Sequence, residues 1–147
     1  GYGTNSTAYA AVDRMMDASW NAKSIQTPTY LCNSNDLYTA SESSKGNKAL
    51  QYPVGLISAD EILYAGGFGG KTNSSYWLYT SQYYWTMSPS YVSSAVGVFR
   101  VEASGGFGWD HMYNVTATYG VRPVINLLAS VQLTGSGTTA DPFIIVA

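Results

Sequence analysis

The strongest local signal in the chain is a run of ten residues, Ser58-Ala59-Asp60-Glu61-Ile62-Leu63-Tyr64-Ala65-Gly66-Gly67. Ser58 with Glu61 three residues later forms a capping box, in which each side chain satisfies a backbone N–H group at the start of a helix. Asp60 and Glu61 also suit the positive end of the helix dipole. Gly66 or Gly67 supplies the left-handed residue at which a helix commonly ends. This stretch therefore predicts a helix of about two turns.

The segments before this helix have a mixed pattern. Residues 8–22 carry apolar side chains at helical spacing (Tyr9, Val12, Met16, Trp20), which predicts an amphipathic first helix. Residues 33–50 are polar and contain Asn, Ser, Lys and Gly, so they are predicted to form a surface loop. Residues 52–57 are a brief apolar run that indicates a strand leading into the capped helix.

Short strands dominate the segments after it. Residues 95–103 and 119–128 have strand composition, and Pro123 favours an edge position for the second of them. Residues 131–134 and 143–146 are predicted to pair as a hairpin. Two short helices followed by many short strands indicate an α+β domain with an irregular twisted antiparallel sheet. Arg122 is predicted to be structural, paired with a carboxylate or with carbonyl groups.

The composition excludes several classes of partner. Among 147 residues there are 7 Lys and Arg against 9 Asp and Glu, with a net charge of −2. Nucleic-acid binding relies on clustered basic residues, which do not occur here, so no nucleic-acid partner is expected. No run of about 18 apolar residues is present, so the segment is not expected to be embedded in a membrane. The 13 Tyr and 4 Trp, with many Gly, Ser and Asn, are typical of adaptable binding surfaces and of exposed β proteins.

Several stretches, in order, resemble segments of one protein family. Residues 27–39 resemble its segment "TPTLKC…NDLFT", residues 52–67 resemble "YPIGLITADEVVYAGG", and residues 73–89 resemble "NSSYYLYTG…YWTMSP". Residues 119–127 resemble "YGVRPVINL", and the tail resembles "GDGTxxNPYVI". The family is an uncharacterised domain of bacterial surface proteins, some of which follow prepilin-type leaders. Its closing segments resemble the C-type-lectin-like fold of the formylglycine-generating enzymes.

This resemblance implies one C-type-lectin-like domain over residues 1–147, with residues 1–26 as a helical lead-in and residues 27–147 as the family-like core. Because they match the scaffold of the family, five aromatic residues are assigned to the core: Tyr76, Trp77, Tyr79, Tyr84, Trp85. The resemblance also implies an extracellular location, on a cell surface or pilus. Longer members carry a second cysteine upstream, which would make Cys32 half of a structural disulfide in the full protein. Fold-level analogy of this kind carries no activity by itself.

An enzyme is not expected. Formylglycine-generating enzymes need a reactive cysteine pair that binds copper, and this chain has only Cys32. His111 is the single histidine, and no G-x-S-x-G elbow accompanies it. No metal site or cofactor is predicted, with calcium left open because it needs only oxygen ligands. Asp141 in the tail loop is expected to cap a turn rather than to bind an ion.

The remaining hypothesis is recognition through residues 88–94 and 104–116, which match no fixed motif of the family and have the composition of a binding surface. The predicted ligand-binding residues are Ser90, Tyr91, Ser93, Phe107, Trp109, Asp110, His111, Tyr113 and Asn114. The expected partner is a protein or carbohydrate on another cell or on a host surface. Two alternatives stay open: Phe107, Trp109 and Tyr113 fill a core, or the domain is a pilin-like structural subunit that binds no ligand.

Overall fold

The computed structural model describes residues 10–17, 21–30, 52, 54–92, 96–108, 116–138 and 140–146. Within them are two short helices, α1 (Ala10–Met15) and α2 (Ala59–Tyr64). Seven strands accompany them: β1 (Val54–Leu56), β2 (Tyr84–Val92), β3 (Val96–Val101), β4 (Phe107–Gly108), β5 (Pro123–Ile125), β6 (Gln132–Thr134) and β7 (Ile144–Val146). The strands pair antiparallel as β1-β5, β2-β3-β4 and β6-β7. The predicted mixture of short helices and antiparallel strands is confirmed, with the sheet divided into three parts.

Helix α2 forms where the capping box predicts it. The Glu61 N–H donates to Ser58 Oγ at 3.2 Å, and the Ser58 N–H donates to Glu61 Oε2 at 2.7 Å. At the other end Gly66 has a φ of +104°. The Gly67 N–H donates to the Ile62 carbonyl at 2.9 Å and the Gly66 N–H to the Leu63 carbonyl at 3.0 Å, the two bonds of a Schellman motif. Both ends of α2 are thus fixed by local sequence.

Helix α1 is shorter than the predicted helix over residues 8–22. It ends at Met15, and Met16 pairs with Ala22 in an isolated antiparallel bridge. The Asn21 N–H donates to the Asp17 carboxylate at 2.9 Å, and the Asp17 N–H donates to the Asn21 carbonyl at 2.9 Å. Asp readily bonds nearby backbone groups in this way, in competition with a helix. The helical continuation to residue 22 was therefore wrong; Tyr9 and Trp20 lie outside the described residues.

Strand β2 buries its polar side. Tyr84, Thr86, Ser88 and Ser90 alternate along the strand and are all fully buried, whereas the residues between them are half-buried. The Thr86 hydroxyl donates to the Phe99 carbonyl at 2.8 Å, so this hydroxyl is satisfied in the interior. Pairing with β3 shifts register on both sides of Pro89, which has no N–H to donate to the ladder. The inner face of β2 is therefore buried, and the Thr86 hydroxyl on it is hydrogen-bonded.

The core lies between the two helices and the β2-β3 pair. Its buried apolar side chains come from residues 11–16, from the start of α2, from the turn at 76–78 and from β2 and β3: Ala11, Val12, Met15, Met16, Ile57, Ala59, Ile62, Tyr76, Leu78, Tyr84, Phe99, Val101. Tyr76 and Tyr84 thus belong to the core as predicted, and Tyr79 and Trp85 are half-buried. The assignment of Trp77 to the core was wrong, since its side chain is 77% exposed. It sits in a turn closed by the Tyr79 N–H and the Tyr76 carbonyl at 3.0 Å.

An ion pair joins the two helices. Arg14 donates through Nε to Asp60 Oδ1 at 2.8 Å and through Nη2 to Asp60 Oδ2 at 2.7 Å. The Thr29 N–H donates to the same carboxylate at 3.0 Å. Asp60 is buried, so the pair is shielded from solvent screening. This contact fixes α1 and the segment at residue 29 against the N-terminus of α2.

The predicted tail hairpin is present as β6 and β7, paired over three positions. Its loop is held by Asp141, whose Oδ2 accepts the Ser136 N–H at 2.8 Å. The turn-capping role expected for Asp141 is confirmed. The apolar side chains of the hairpin are exposed in this structure: Leu133, Phe143, Ile144, Ile145, Val146.

Candidate functional site

A solvent-open cleft of about 480 Å³ lies beside α2. Its walls come from four separate parts of the chain, around residues 30, 57–65, 77–84 and 122–125. We call it the aromatic cleft and define it by the residues that line it: Tyr30, Ile57, Glu61, Tyr64, Ala65, Trp77, Leu78, Tyr84, Arg122, Pro123, Val124, Ile125. Its volume is in the range of small-ligand sites.

Three exposed aromatic side chains line this cleft. Trp77 is 77% exposed, Tyr30 is 70% exposed and Tyr64 is 49% exposed. The Tyr30 and Tyr64 rings are stacked, with centroids 4.2 Å apart and planes inclined by 11°. The Tyr64 hydroxyl also donates to the Pro28 carbonyl at 2.9 Å, which fixes its orientation. Two of the three rings are thus held in place before any ligand arrives.

A partly buried polar cluster supports the cleft from within. Arg122 donates through Nη1 to the Leu78 carbonyl at 2.8 Å, and the Tyr84 hydroxyl donates to the same oxygen at 3.1 Å. The Arg122 guanidinium lies 5.0 Å from the centroid of the Tyr84 ring, a cation–π distance. The prediction that Arg122 is structural and meets a carbonyl group is confirmed. Because Leu78 follows Trp77 directly, this cluster also anchors the turn that presents Trp77.

The tyrosines beneath the cleft remain protonated at neutral pH. Burial raises the pKa of Tyr84, against a lowering effect of the Arg122 charge. Burial likewise raises the pKa of Tyr76, and the neighbouring Tyr84 contributes in the same direction. Both phenols therefore stay neutral, and the Tyr84 hydroxyl acts as a hydrogen-bond donor rather than as a base.

Glu61 provides a carboxylate on the α2 side of the cleft. Its Oε2 accepts the Ser58 N–H at 2.7 Å and the Ser58 hydroxyl at 2.9 Å. The capping box thus holds this side chain in one orientation. Among the described lining residues, Glu61 is the acidic residue and Arg122 the basic residue, so the cleft carries one negative and one positive side chain.

The structure describes only part of the loops predicted to bind ligand. Residues 88–92 belong to β2 and are not a loop, and Ser90 is 1% exposed. Ser90 therefore lies in the interior, which corrects its placement on a binding surface. Tyr91 lies in β2 and Phe107 in β4. Six predicted ligand-binding residues lie outside the described residues: Ser93, Trp109, Asp110, His111, Tyr113, Asn114. Cys32 and the predicted loop over residues 33–50 lie outside them too.

The aromatic cleft was not predicted from the sequence. Tyr30 carried no assignment, Tyr64 was treated only as part of a capped helix, and Trp77 was assigned to the core. No local pattern links these three residues, because they come from segments more than 10 positions apart. One weaker sequence signal pointed to Tyr64. It follows Ile62 and Leu63 in a short helix that buries only one face, so a large side chain next to these two residues is expected to face outward.

Ser88 and Ser90 offer a matched pair of tests. Ser88 Oγ accepts the buried Ala59 N–H at 2.9 Å, whereas Ser90 Oγ has no hydrogen-bond partner within the described part of the chain. Ser88→Ala is expected to lower the free energy of unfolding by about 1–3 kcal/mol, because it leaves that N–H unsatisfied. Ser90→Ala is expected to leave stability unchanged or to raise it by up to about 1 kcal/mol, since it removes an unpaired buried hydroxyl.

Urea unfolding of the two variants measures both effects under the same conditions. A destabilisation by Ser90→Ala equal to that of Ser88→Ala would contradict the assignment of the two hydroxyls.

Neither a metal-ligating group nor a membrane-spanning helix is found among the described residues. No group of three His, Cys, Asp or Glu side chains comes together there. No helix in the same part of the chain is long and apolar enough to cross a membrane. A scan of protein-family models and searches of curated proteins and solved structures gave no match. The aromatic cleft is the feature on which a functional hypothesis can be built.

Proposed function

We propose that the chain is a non-catalytic recognition domain that binds its ligand in the aromatic cleft. The observation that carries this proposal is the grouping of Tyr30, Tyr64 and Trp77, all exposed, around one concave surface. Exposed aromatic rings of this kind supply large contact areas with few rotatable bonds, so little entropy is lost when they bind. Trp and Tyr are also the residues most enriched among those that dominate binding energy.

The framework beneath these rings supports the proposal. The Tyr30–Tyr64 stack, the bond from Tyr64 to Pro28 and the cluster at Leu78 hold the walls in one arrangement. Preorganised walls reduce the entropic cost of binding. Glu61 and Arg122 add a fixed acceptor and a fixed donor that orient a ligand within an otherwise apolar cleft.

An extracellular, surface-displayed domain of C-type-lectin-like type is part of the same proposal. The support for it is the resemblance of residues 27–147 to bacterial surface proteins, the low charge content and the position of Cys32. Apart from the buried Ser90, residues 88–94 and 104–116 stay predicted as an alternative contact surface. Substitutions in the loop and in the cleft distinguish which of the two surfaces binds the ligand.

Trp77→Ala is expected to abolish ligand capture without loss of folding, because the side chain is largely exposed and contributes little to the core. The purified domain is screened on an array of glycans, mucins and bacterial surface extracts. Tyr52→Ala is the matched control, since Tyr52 is 73% exposed and does not line the cleft. The double variant Trp109→Ala, Tyr113→Ala tests the predicted loop. Capture that survives Trp77→Ala but is lost in the loop variant would contradict the cleft assignment.

A structural subunit is the second candidate, and one observation favours it. The β6-β7 hairpin exposes apolar side chains on both strands, and an isolated two-stranded hairpin is marginally stable in water. A subunit that assembles through this hairpin would self-associate. Sedimentation of the purified domain distinguishes the two candidates, with a monomer expected for the recognition domain.

A further inference from the structure

The charges of the aromatic cleft limit its ligand. Glu61 and Arg122 carry opposite charges and are the acidic and the basic residue among the described lining residues. A ligand of high negative charge would meet the Glu61 carboxylate, and one of high positive charge would meet Arg122. Because like charges brought together in a partly desolvated site are unfavourable, this balance favours a ligand with little net charge.

The hydrogen-bonding groups limit it further. The carboxylate of Glu61 only accepts hydrogen bonds, and the guanidinium of Arg122 only donates them. Ser58 fills two of the roughly four acceptor positions of that carboxylate. A ligand that satisfies both groups must carry donors as well as acceptors. Hydroxyl groups do both at a single atom.

The aromatic rings require a flat apolar surface on the same ligand. Trp77 and the stacked Tyr30–Tyr64 pair line the cleft with exposed aromatic rings, and aromatic rings gain most when a flat surface lies against them. A pyranose ring has C–H groups on its faces and hydroxyl groups around its edge. It therefore matches apolar walls and polar groups within one small cleft.

We propose that the aromatic cleft binds a neutral oligosaccharide, with sugar rings stacked on Trp77 and on the Tyr30–Tyr64 pair and hydroxyl groups bonded to Glu61 and Arg122. This inference rests on the proposed function of the cleft as a recognition site.

A proline-rich peptide is the main competitor, because aromatic grooves also bind polyproline helices. Proline has no backbone N–H, so such a segment brings carbonyl acceptors but few donors. It would satisfy Arg122 and leave the Glu61 carboxylate facing an apolar ligand, which is unfavourable for a charged group. The paired donor and acceptor therefore favour the saccharide.

Calorimetric titration of the domain with defined probes tests this inference. The neutral probes are cellohexaose, chitohexaose and mannohexaose; the others are hexagalacturonic acid and a decaproline peptide. At least one neutral oligosaccharide is expected to bind more tightly than either of the others. Trp77→Ala is expected to weaken that binding ~10-fold or more, equivalent to about 1.4 kcal/mol, whereas Tyr52→Ala leaves it unchanged.

Glu61→Gln separates the role of the charged acceptor from that of the fold. Gln retains the capping interaction with Ser58, so the variant is expected to keep its stability. Its affinity for the neutral oligosaccharide is expected to fall about threefold to tenfold, because a hydrogen bond to a charged acceptor is replaced by a weaker neutral one. An affinity unchanged in Glu61→Gln would overturn the role of that carboxylate.

Different results would overturn the saccharide as ligand and the cleft as recognition site. Absence of binding by all three neutral oligosaccharides overturns the saccharide inference, whatever else binds. If decaproline or hexagalacturonic acid then binds and Trp77→Ala abolishes that binding, the recognition function of the cleft stands with another ligand. Oligosaccharide binding that is indifferent to Trp77→Ala overturns both the inference and the cleft.

Discussion

Replacing Asp60 with alanine is expected to lower the free energy of unfolding by about 3–5 kcal/mol, the range found when one partner of a buried ion pair is removed. Asp60 is 1% exposed, and its carboxylate accepts hydrogen bonds from two nitrogens of the Arg14 guanidinium and from the Thr29 N–H. The alanine variant removes all three bonds and leaves Arg14 without the carboxylate that neutralises it. A total stability of about 5–15 kcal/mol is usual for a domain, so a loss of this size would remove between about a fifth of that stability and all of it.

Denaturant unfolding measures this loss, with Asp13→Ala as the control. Asp13 is an exposed carboxylate on α1, so its replacement is expected to change stability by no more than about 0.5 kcal/mol. A double variant, Arg14→Met with Asp60→Leu, is expected to recover part of the loss, because apolar residues of similar volume can replace a buried ion pair. If Asp60→Ala costs no more than Asp13→Ala, the ion pair does not hold the helices together.

Gly105→Ala is expected to lower the free energy of unfolding by about 3 kcal/mol or more, from combined backbone strain and steric overlap. Gly105 has a φ of +82° in the turn between β3 and β4, a conformation that residues with a Cβ atom rarely adopt. A Cβ atom there would overlap the backbone carbonyl of Asn73 and lie 2.9 Å from the Tyr79 ring. Backbone atoms cannot move aside as a flexible side chain can.

The effect is expected to reach the cleft as well. The overlapped segment leads into the turn that carries Trp77 and Leu78, so its displacement would weaken ligand binding. Gly55→Ala is the matched control, because a Cβ atom on Gly55 in β1 meets nothing within 4 Å. Thermal and urea unfolding of both variants measure the difference. Equal stabilities of Gly105→Ala and Gly55→Ala would show that the two segments are not in the close contact described.

The elements that could be predicted from local sequence are those whose first and last residues are fixed by nearby side chains or glycines. The capping box and the glycine pair enclose α2, and the tail hairpin forms around a loop held by Asp141. Helix α1 was overestimated because its apolar spacing continues past Met15, whereas the backbone follows the bonds between Asp17 and Asn21. Periodicity reports which face is buried and says less about where a helix ends.

The error at Ser90 has a different origin. A stretch of Ser, Pro and Tyr has the composition of a surface loop, yet Thr86, Ser88 and Ser90 form the buried side of β2. Thr86 and Ser88 are accommodated there because the Phe99 carbonyl and the Ala59 N–H come within hydrogen-bonding distance. Those partners lie 13 and 29 residues away in sequence. A buried polar face of this kind cannot be recognised before the strands are paired.

The aromatic cleft was inaccessible to sequence reasoning for the same reason. Its exposed rings come from a segment near residue 30, from α2 and from the turn at residue 77. Arg122, which was predicted to be structural, proved to be the group that links this turn to β5. The predicted structural role of Arg122 was confirmed. That the residues around it line a cleft follows only from tertiary contacts.

The most direct test of the aromatic cleft as the recognition site is nuclear magnetic resonance of the tryptophan indole N–H groups. The chain has 4 Trp: Trp77 lies in the cleft, Trp85 in β2, Trp109 in the predicted loop and Trp20 after α1. Each indole gives one signal, assigned with single Trp→Phe variants, during titration with the neutral hexasaccharides. A saturable shift of the Trp77 signal, with Trp109 and Trp20 unchanged, is the predicted result. A shift of Trp109 without a shift of Trp77 would contradict the cleft and place recognition on the loop instead.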